Sequence, residues 1–547
     1  MRTLTLVFCV ATVGGYLHFQ KEIPNGGNVS HPCKLNDTWE GVGHLNPYGE
    51  GYLNPFGQDF KSAGMTWTKT LCKTDSDGDG KTNGEELGDP ECIWTKGSSP
   101  TVTHDISHPG VCTPYSAPAC QAVNTWIDCE IKDKTCDAIN EIGMKNTTVR
   151  IPETAVPLAE TTYHCMLFEF PADGDYHFVA FEPYIDNANV NHHILLFGCD
   201  DSVKALRTSN INSVRPCNAT PEPYCQTLMG VWNYGSPSQC MHKNAGFRIG
   251  QNGYRHAVLQ LHWNNPEHRS DYTDSSGMKL YFTSNLRQHD ATTLTVGTTY
   301  IEIPPGEENV EVEALCSSDC SSRYLSGPIY IISAENHMHL LGRKQKIQLY
   351  RKGVWIADIT NEVFKYGTNN YFQFTTPIEV LPGDEIKITC SYNSVDQNLT
   401  TIMGEDTSDE MCFGFLIVYP EQHLTGRDCA SWMDLDLCKV IDFNSDFPTM
   451  NGCYTNSLIN PFNTDLAAII TNLNKLCKPF DLCTSECKRY VRDLISKNKC
   501  FQGTIDLFLR HYAVSHAKFL MTIFAAIDSC KAEIELDTCQ DRCDLIA

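Results

Sequence analysis

The 547-residue chain lacks any later apolar run long enough to cross a bilayer: beyond its first residues no stretch reaches about 18 uninterrupted apolar positions. Its last residues, CQDRCDLIA, are charged and bear cysteine, so no apolar lipid-anchor tail is expected. Basic residues are scarce. The 42 Lys and Arg stand against 66 Asp and Glu, for a net charge of -24. That balance argues against nucleic acid and anionic membrane surfaces as partners and is compatible with basic ligands or calcium. Helix-period patterning is weak through the middle of the chain, where short strand-like runs dominate instead.

Cysteine is abundant. Of the 27 cysteines, Cys9 lies in MRTLTLVFCVATVGG (1–15), which reads as a secretory leader and leaves an even number for pairing in an oxidising compartment. An exported, secreted or vesicle-lumen protein is therefore expected. Oxidised cysteines do not ligate metal, so a metal site must come from His, Met, Asp or Glu. N-x-Ser/Thr sequons at Asn28, Asn36, Asn146, Asn218 and Asn398 fit a glycosylated surface.

The length suggests roughly three to four domains. Residues 16–113 are rich in Gly, Asn and Pro and read as a small loop-rich module held by Cys33, Cys72, Cys92 and Cys112. Within it, DSDGDGKTNGEE fits a twelve-residue calcium loop, with oxygens from Asp75, Asp77, Asp79, the Lys81 carbonyl, Asn83 and Glu86, and Gly80 at the sharp turn. The bland alternative is an acidic surface turn. With Cys72 and Cys92 bracketing the loop, a disulfide-pinned loop is expected rather than a helix-loop-helix pair. Residues 114–160 read as an extended strap. Two runs of alternating strands follow, 161–297 and 298–425, and predict tandem antiparallel β-sandwiches. From 426 to 547, apolar residues at helical spacing among cysteines predict a helical, disulfide-laced region. Its apolar run at 519–527 reads as core rather than membrane contact.

Chemistry concentrates in strand-like stretches. His337 and His339 in AENHMHLLG are two apart, which on an extended strand places both imidazoles on one face. His192 and His193 in VNHHILLFG are adjacent, so both reach one ion only if the backbone bends at a strand end or bulge. His262 in LQLHWNN would supply a third nitrogen. Three imidazoles suit copper or zinc; Met411 in DEMCFGFLIVYP, if a ligand, favours Cu(I), whereas a lone Met on an apolar strand is ordinarily core. Gln260 shares a strand face with His262 and is a candidate partner for the imidazole.

These stretches together, with DSSGMKLYFTSNLR and CSYNSVD, resemble the copper type II, ascorbate-dependent monooxygenases, and more closely the dopamine β-hydroxylase branch than the peptide-hydroxylating one. The resemblance implies two tandem β-sandwiches and two copper sites, His192, His193 and His262 for electron supply and His337, His339 and Met411 for oxygen binding. It also implies ascorbate as reductant, O2 as cosubstrate, and disulfides Cys165–Cys217, Cys199–Cys225, Cys316–Cys429 and Cys390–Cys412. The first module resembles temptin, a secreted protein associated with water-borne pheromone signalling, which implies a protein or pheromone partner for that module.

Where the peptide-hydroxylating branch has an Arg to grip a carboxylate, this chain has Glu335; Phe413 and Phe415 stand where that branch has Asn and Tyr. An acid pairs with an ammonium and the phenyl rings pack against a ring, so the expected substrate is a small aromatic monoamine hydroxylated at its benzylic carbon. The plain alternative for Glu335 is a solvated acid at a pocket rim. A different class of function, a secreted signalling or matrix protein acting through the first module with the oxygenase scaffold as carrier, is kept beside it.

Overall fold

The computed structural model describes residues 19–544, apart from 33, 46, 48–52, 128–135, 201–210, 219–220, 222–223, 234–237, 266–267, 365, 367–369, 407, 441–451, 478–481 and 516. The expected leader, Cys33 and Cys129 lie outside the described residues. Strands dominate, and two face-to-face pairs of mainly antiparallel sheets form the centre, as the alternating patterns predict. Among the described residues, no helix is long and apolar enough to cross a membrane.

In the first sandwich, a five-stranded sheet runs Val214–Pro216, Thr161–Glu169, His256–Asn264, Asn191–Gly198, Thr227–Asn233. It packs on a sheet built around Asp175–Tyr184 and Gly277–Thr283. Phe178, Phe181, Phe247 and Leu280 from one sheet meet Ile194, Leu196, Leu259, Leu261 and Trp263 from the other in one core. In the second sandwich, the six-stranded sheet contains Tyr371–Val380, Ile329–His337, Cys412–Tyr419 and Thr292–Thr298 as successive neighbours. It covers a four-stranded sheet that includes Asp384–Tyr392 and Gly342–Arg351. Ile332, Ile417 and Tyr419 of the second sandwich belong to the core of the first. The Thr293 hydroxyl also donates to the Leu228 carbonyl at 2.6 Å, so the two sandwiches share a packed boundary.

Several expected limits move. Thr292–Thr298 and Asp428–Trp432 pair with one another in the second sandwich, which therefore starts before 298 and ends after 425. Residues 114–160 are not an extended strap: Met144–Arg150 is a strand of the first sandwich, paired with Gly277–Thr283, and Pro118–Val123 is a helix. Cys112 pairs with Cys120 across the expected limit at 113, and Cys136 pairs with Cys240. A Pro- and Thr-rich composition hid these pairings because strand partners lie far away in sequence. The four disulfides implied by the resemblance are all present. The calcium-type loop, expected without helices, follows one short helix, Lys69–Lys73, and its last four residues form another, Asn83–Glu86. Thr82 and Glu85 form a capping box that starts the second, while Cys72–Cys92 pins the first. The C-terminal region is helical, with Leu520, Ile523, Phe524 and Ile527 buried in its own core and Cys453–Cys500, Cys477–Cys487 and Cys483–Cys530 stapling it.

Asp274, fully buried, fastens the turn that leads into His192. It accepts from the Trp263 indole at 2.8 Å, from Ser276 at 2.7 Å and from the Asn187 backbone at 3.1 Å; Ser276 in turn accepts from Asn191 at 2.9 Å. Asp274→Ala leaves these buried donors without their acceptor and is expected to cost about 2 to 4 kcal/mol, read as a lowered unfolding midpoint of the metal-free protein.

Candidate functional site

His262 lies on the strand His256–Asn264, flanked on one side by Tyr163 and on the other by His193 in the cross-strand register. Regular alternation would put His192 on the core side with Ile194 and Leu196. The register instead slips by one residue: His262 pairs with His193, but Trp263 pairs with Asn191, so His192 is the extra residue of a bulge. The bend expected of two adjacent ligating histidines is present. The His193 Nδ1 is 3.4 Å from His192 Nδ1 and 3.3 Å from His262 Nδ1. These three side chains form a group whose nitrogens lie within 4.8 Å of one another, a separation that could hold one metal ion. The three imidazoles converge through Nδ1, the nitrogens a shared metal would take.

The second cluster relies on another slip. Ile329 and Ile331 point into the core of the second sandwich, but so does Ala334, because the pairing shifts between Ile331 and Ser333 on both flanking strands. Glu335 and His337 are thereby turned out of that core. Phe415 and Phe413 stand opposite them in register, and the His337 and Phe415 rings are 5.6 Å apart. One expectation needs correcting: the strand ends at His337, so His339 lies in the following turn and strand alternation does not aim it. It is aimed by the chain around Met411. Its Nδ1 donates to the Asp409 carbonyl at 3.0 Å, leaving Nε2 for a ligand, and its backbone N–H donates to Glu410 at 2.8 Å. Met411 itself sits one residue ahead of the strand Cys412–Tyr419, and its carbonyl accepts from the Tyr392 hydroxyl. The His337 and His339 rings are 5.5 Å apart.

Two tyrosines that sequence reasoning missed join the clusters. Tyr163 stacks on His262 at 4.5 Å, while Tyr366 stacks on His192 at 5.0 Å and meets His339 edge-on at 6.2 Å. Strand parity with His262 is a signal for Tyr163; nothing in the sequence around Tyr366 marks it. Gln260 takes a different place from the one expected, since its amide nitrogen donates to the Asn218 carbonyl at 2.8 Å rather than to an imidazole. Glu335 is buried and accepts from Asn233 of the first sandwich at 3.3 Å, so it is not a solvated rim acid.

Burial holds the imidazoles neutral. It pushes His192 down to about 4 and His337 to about 3, with His339 nearby adding to both. His193 and His262 lie well below the usual range for the same reason, reinforced by neighbouring histidines. Neutral imidazoles are what a metal needs.

In the first module, Asp75, Asp77 and Asp79 also form a close group. Asp75 accepts from the Gly78 and Gly80 backbones, and Asp79 from Lys81 and Thr113. Three buried oxygens there, Asp77 Oδ2, Asn83 Oδ1 and Glu86 Oε2, have no hydrogen-bond partner. A further group, Cys477, Cys487 and Cys530, is already engaged in disulfides.

Sequence comparison matches residues 147–270 to the N-terminal domain of copper type II ascorbate-dependent monooxygenases and 289–441 to their C-terminal domain. The chain belongs to that family. Residues 13–111 match the temptin C-terminal model. Tyramine beta-hydroxylase of Caenorhabditis briggsae is 32% identical over 275 residues, 48% of this chain and 46% of that protein. Dopamine beta-hydroxylase of Equus caballus is 32% identical over 309 residues, 53% of this chain and 49% of its own length. DBH-like monooxygenase protein 1 of Homo sapiens is 28% identical over 299 residues, 52% and 48% of the two chains. The chain thus spans about half the length of the curated relatives it matches. The solved broad bean stain virus structure overlaps 53% of this chain and 92% of that chain at a TM-score of 0.21 and 8% identity, too low to bear on the fold.

The depressed imidazoles make a metal-free prediction for the family site. A histidine held neutral in the fold costs stability once pH falls below about 6.5, where the unfolded chain takes up the proton. His337→Gln removes that penalty. Relative to wild type, the metal-free variant is expected to gain about 1 kcal/mol of stability on going from pH 7.5 to 5.5, measured by denaturant titration at both pH values.

Proposed function

We propose that this chain is a secreted or vesicle-lumen copper monooxygenase that hydroxylates the benzylic carbon of a small aromatic monoamine. The observation that carries this reading is the placement of Glu335, His337, Phe413 and Phe415 on one sheet face, with the His192, His193 and His262 cluster across Tyr366. His192, His193 and His262 would hold one copper, and His337, His339 and Met411 the other, the thioether favouring Cu(I) over zinc. Bound copper supplies reversible one-electron chemistry, with ascorbate as reductant and O2 as oxygen source.

The protein's own residues bind and orient. Glu335, desolvated and steadied by the Asn233 amide, is suited to an ammonium, because a charge-assisted hydrogen bond in a dry site is strong and directional. Phe415, beside His337, offers an apolar surface to the substrate ring, with Phe413 stacked next to it at 6.5 Å. A substrate held at its amine and its ring presents the carbon between them toward His337. Dense disulfides and the leader-like first residues support export.

Calcium in the first module is part of the same reading. One loop offers the carboxylates of Asp75, Asp77, Asp79 and Glu86, the Lys81 carbonyl and Asn83, and its three unpartnered buried oxygens favour a hard cation. The module's partner, a protein or a pheromone, would be engaged from this calcium-braced unit.

Ascorbate-driven O2 uptake by the copper-loaded protein should be stimulated by tyramine and not by a peptide ending in glycine. Glu335→Gln should lower kcat/KM for tyramine by about 10- to 100-fold, the range a lost charged hydrogen bond gives. An unchanged kcat/KM removes the amine assignment; absent uptake with two coppers bound removes the enzyme reading and leaves the first module to explain the chain. Separately, Glu86→Gln should weaken calcium binding, followed by calorimetric titration of the full chain, without altering copper stoichiometry.

A further inference from the structure

Glu410 neither reaches a substrate face nor belongs to the expected ligand set, yet it is fully buried beside the second cluster. Its carboxylate receives three backbone N–H groups. Oε2 accepts from His339 at 2.8 Å and Met411 at 3.2 Å, and Oε1 accepts from Leu341 at 2.5 Å. A carboxylate in this position satisfies three donors that neither a helix nor a sheet ladder takes up, since residues 339–341 form the turn after one strand and Met411 precedes another.

We infer that Glu410 is a positioning residue: its carboxylate ties the His339 backbone to the Met411 backbone and sets the separation at which imidazole and thioether meet one metal ion. The inference rests on the reading of His337, His339 and Met411 as a copper set. Of these three, only His337 is placed by a strand. His339 and Met411 come from irregular chain, and the tripeptide 409–411 holds both. The Asp409 carbonyl orients the His339 ring through Nδ1, Glu410 holds the His339 and Met411 amides, and Tyr392 holds the Met411 carbonyl at 2.8 Å. The neighbouring Cys412–Cys390 disulfide anchors the far side. Glutamine cannot replace the acid here, because its amide group turns a donor toward backbone N–H groups. Aspartate is one methylene shorter and does not span from His339 to Leu341.

The full-length protein, loaded with copper and reduced, tests this by copper X-ray absorption, which reads a sulfur neighbour directly. In wild type, a sulfur scatterer is expected; in Glu410→Gln it should be lost. Cu(I) affinity at one of the two sites should fall by about 10- to 100-fold, as for other residues that orient ligands, while the other site keeps its copper. The same change placed on Met411→Ile should lower Cu(I) affinity by less than it does in wild type, because the thioether contact it would misplace is already gone. Retention of the sulfur scatterer and of Cu(I) affinity in Glu410→Gln, with only a lower unfolding temperature, overturns the positioning role and makes Glu410 a structural anion. A wild type without a sulfur scatterer overturns the Met411 ligand reading itself, and the inference with it. Should Glu410→Gln not fold, amide hydrogen exchange in the wild-type metal-free protein decides: slow exchange of His339, Leu341 and Met411 together supports the tie, and exchange at open-chain rates at these three overturns it.

Discussion

Side chains on a strand alternate between faces, and a sheet buried on one side has no tolerance for a polar side chain on the wrong parity. Both histidine clusters depend on breaking that rule once. The slip beside His262 takes His192 off the parity of Ile194 and Leu196. The slip at Ile332 takes Glu335 and His337 off the parity of Ile329 and Ile331. Without the first, His192 would point into the core between the sheets of its sandwich; without the second, an acid and an imidazole would enter the apolar core of the other. Each bulge removes one residue from the ladder, a local cost that neighbouring contacts offset. For the first, these are the Asp274, Ser276 and Asn191 bonds; for the second, strands paired on both sides of Ile329–His337.

Turning two histidine sets outward is useful only where the faces meet a partner, and here each sandwich supplies the other's cover. Ile332, Ile417 and Tyr419 lock the second sandwich into the core of the first, Asn233 reaches Glu335 across the boundary, and Tyr366 lies against rings of both clusters. Burial at such a boundary keeps imidazoles neutral without any dedicated base. The same packing that stabilises the pair of domains therefore also prepares the nitrogens to accept a metal, so mutations at the boundary would disturb stability and metal affinity together.

The strand-borne part of this arrangement is legible in the sequence. LQLHW alternates apolar and polar residues and HHILLF continues into an apolar run, so both read as strands, and the need for a bend at adjacent histidines follows from strand geometry. The turn-borne part is not. His339 looks like a strand neighbour of His337 because spacing of two is the strand signature, but the strand stops, and hydrogen bonds from distant residues aim the ring. Tyr366 is invisible for the same reason: its contacts are set by where a loop lands. The reading of 114–160 as a strap fails because the edge strand Met144–Arg150 and the Cys136–Cys240 disulfide depend on partners far along the chain. The calcium-type loop shows the reverse error, since T-N-G-E carries a capping box that predicts the short helix which composition obscured.

Three groups of buried acids meet the same desolvation penalty in different ways. Glu410 is pushed up to about 7 by burial while three backbone N–H groups oppose the shift, so its oxygens are satisfied from within and it acts on the chain that holds it. Glu335 has an amide from the facing sandwich, a neutral donor that orients a carboxylate without neutralising it. Asp77 is raised to about 7 by burial and by the nearby Asp79 and Asp75 carboxylates, Glu86 to about 9 by burial and by Asp77, and each keeps a buried oxygen with no protein donor. Glu410 is bonded to backbone and ties together the segments that surround it, Glu335 accepts from a side-chain amide of the facing sandwich, and the Asp77 and Glu86 cluster keeps buried oxygens that no protein donor fills. Hydrogen-bond accounting thus separates three environments that residue type and charge alone do not distinguish.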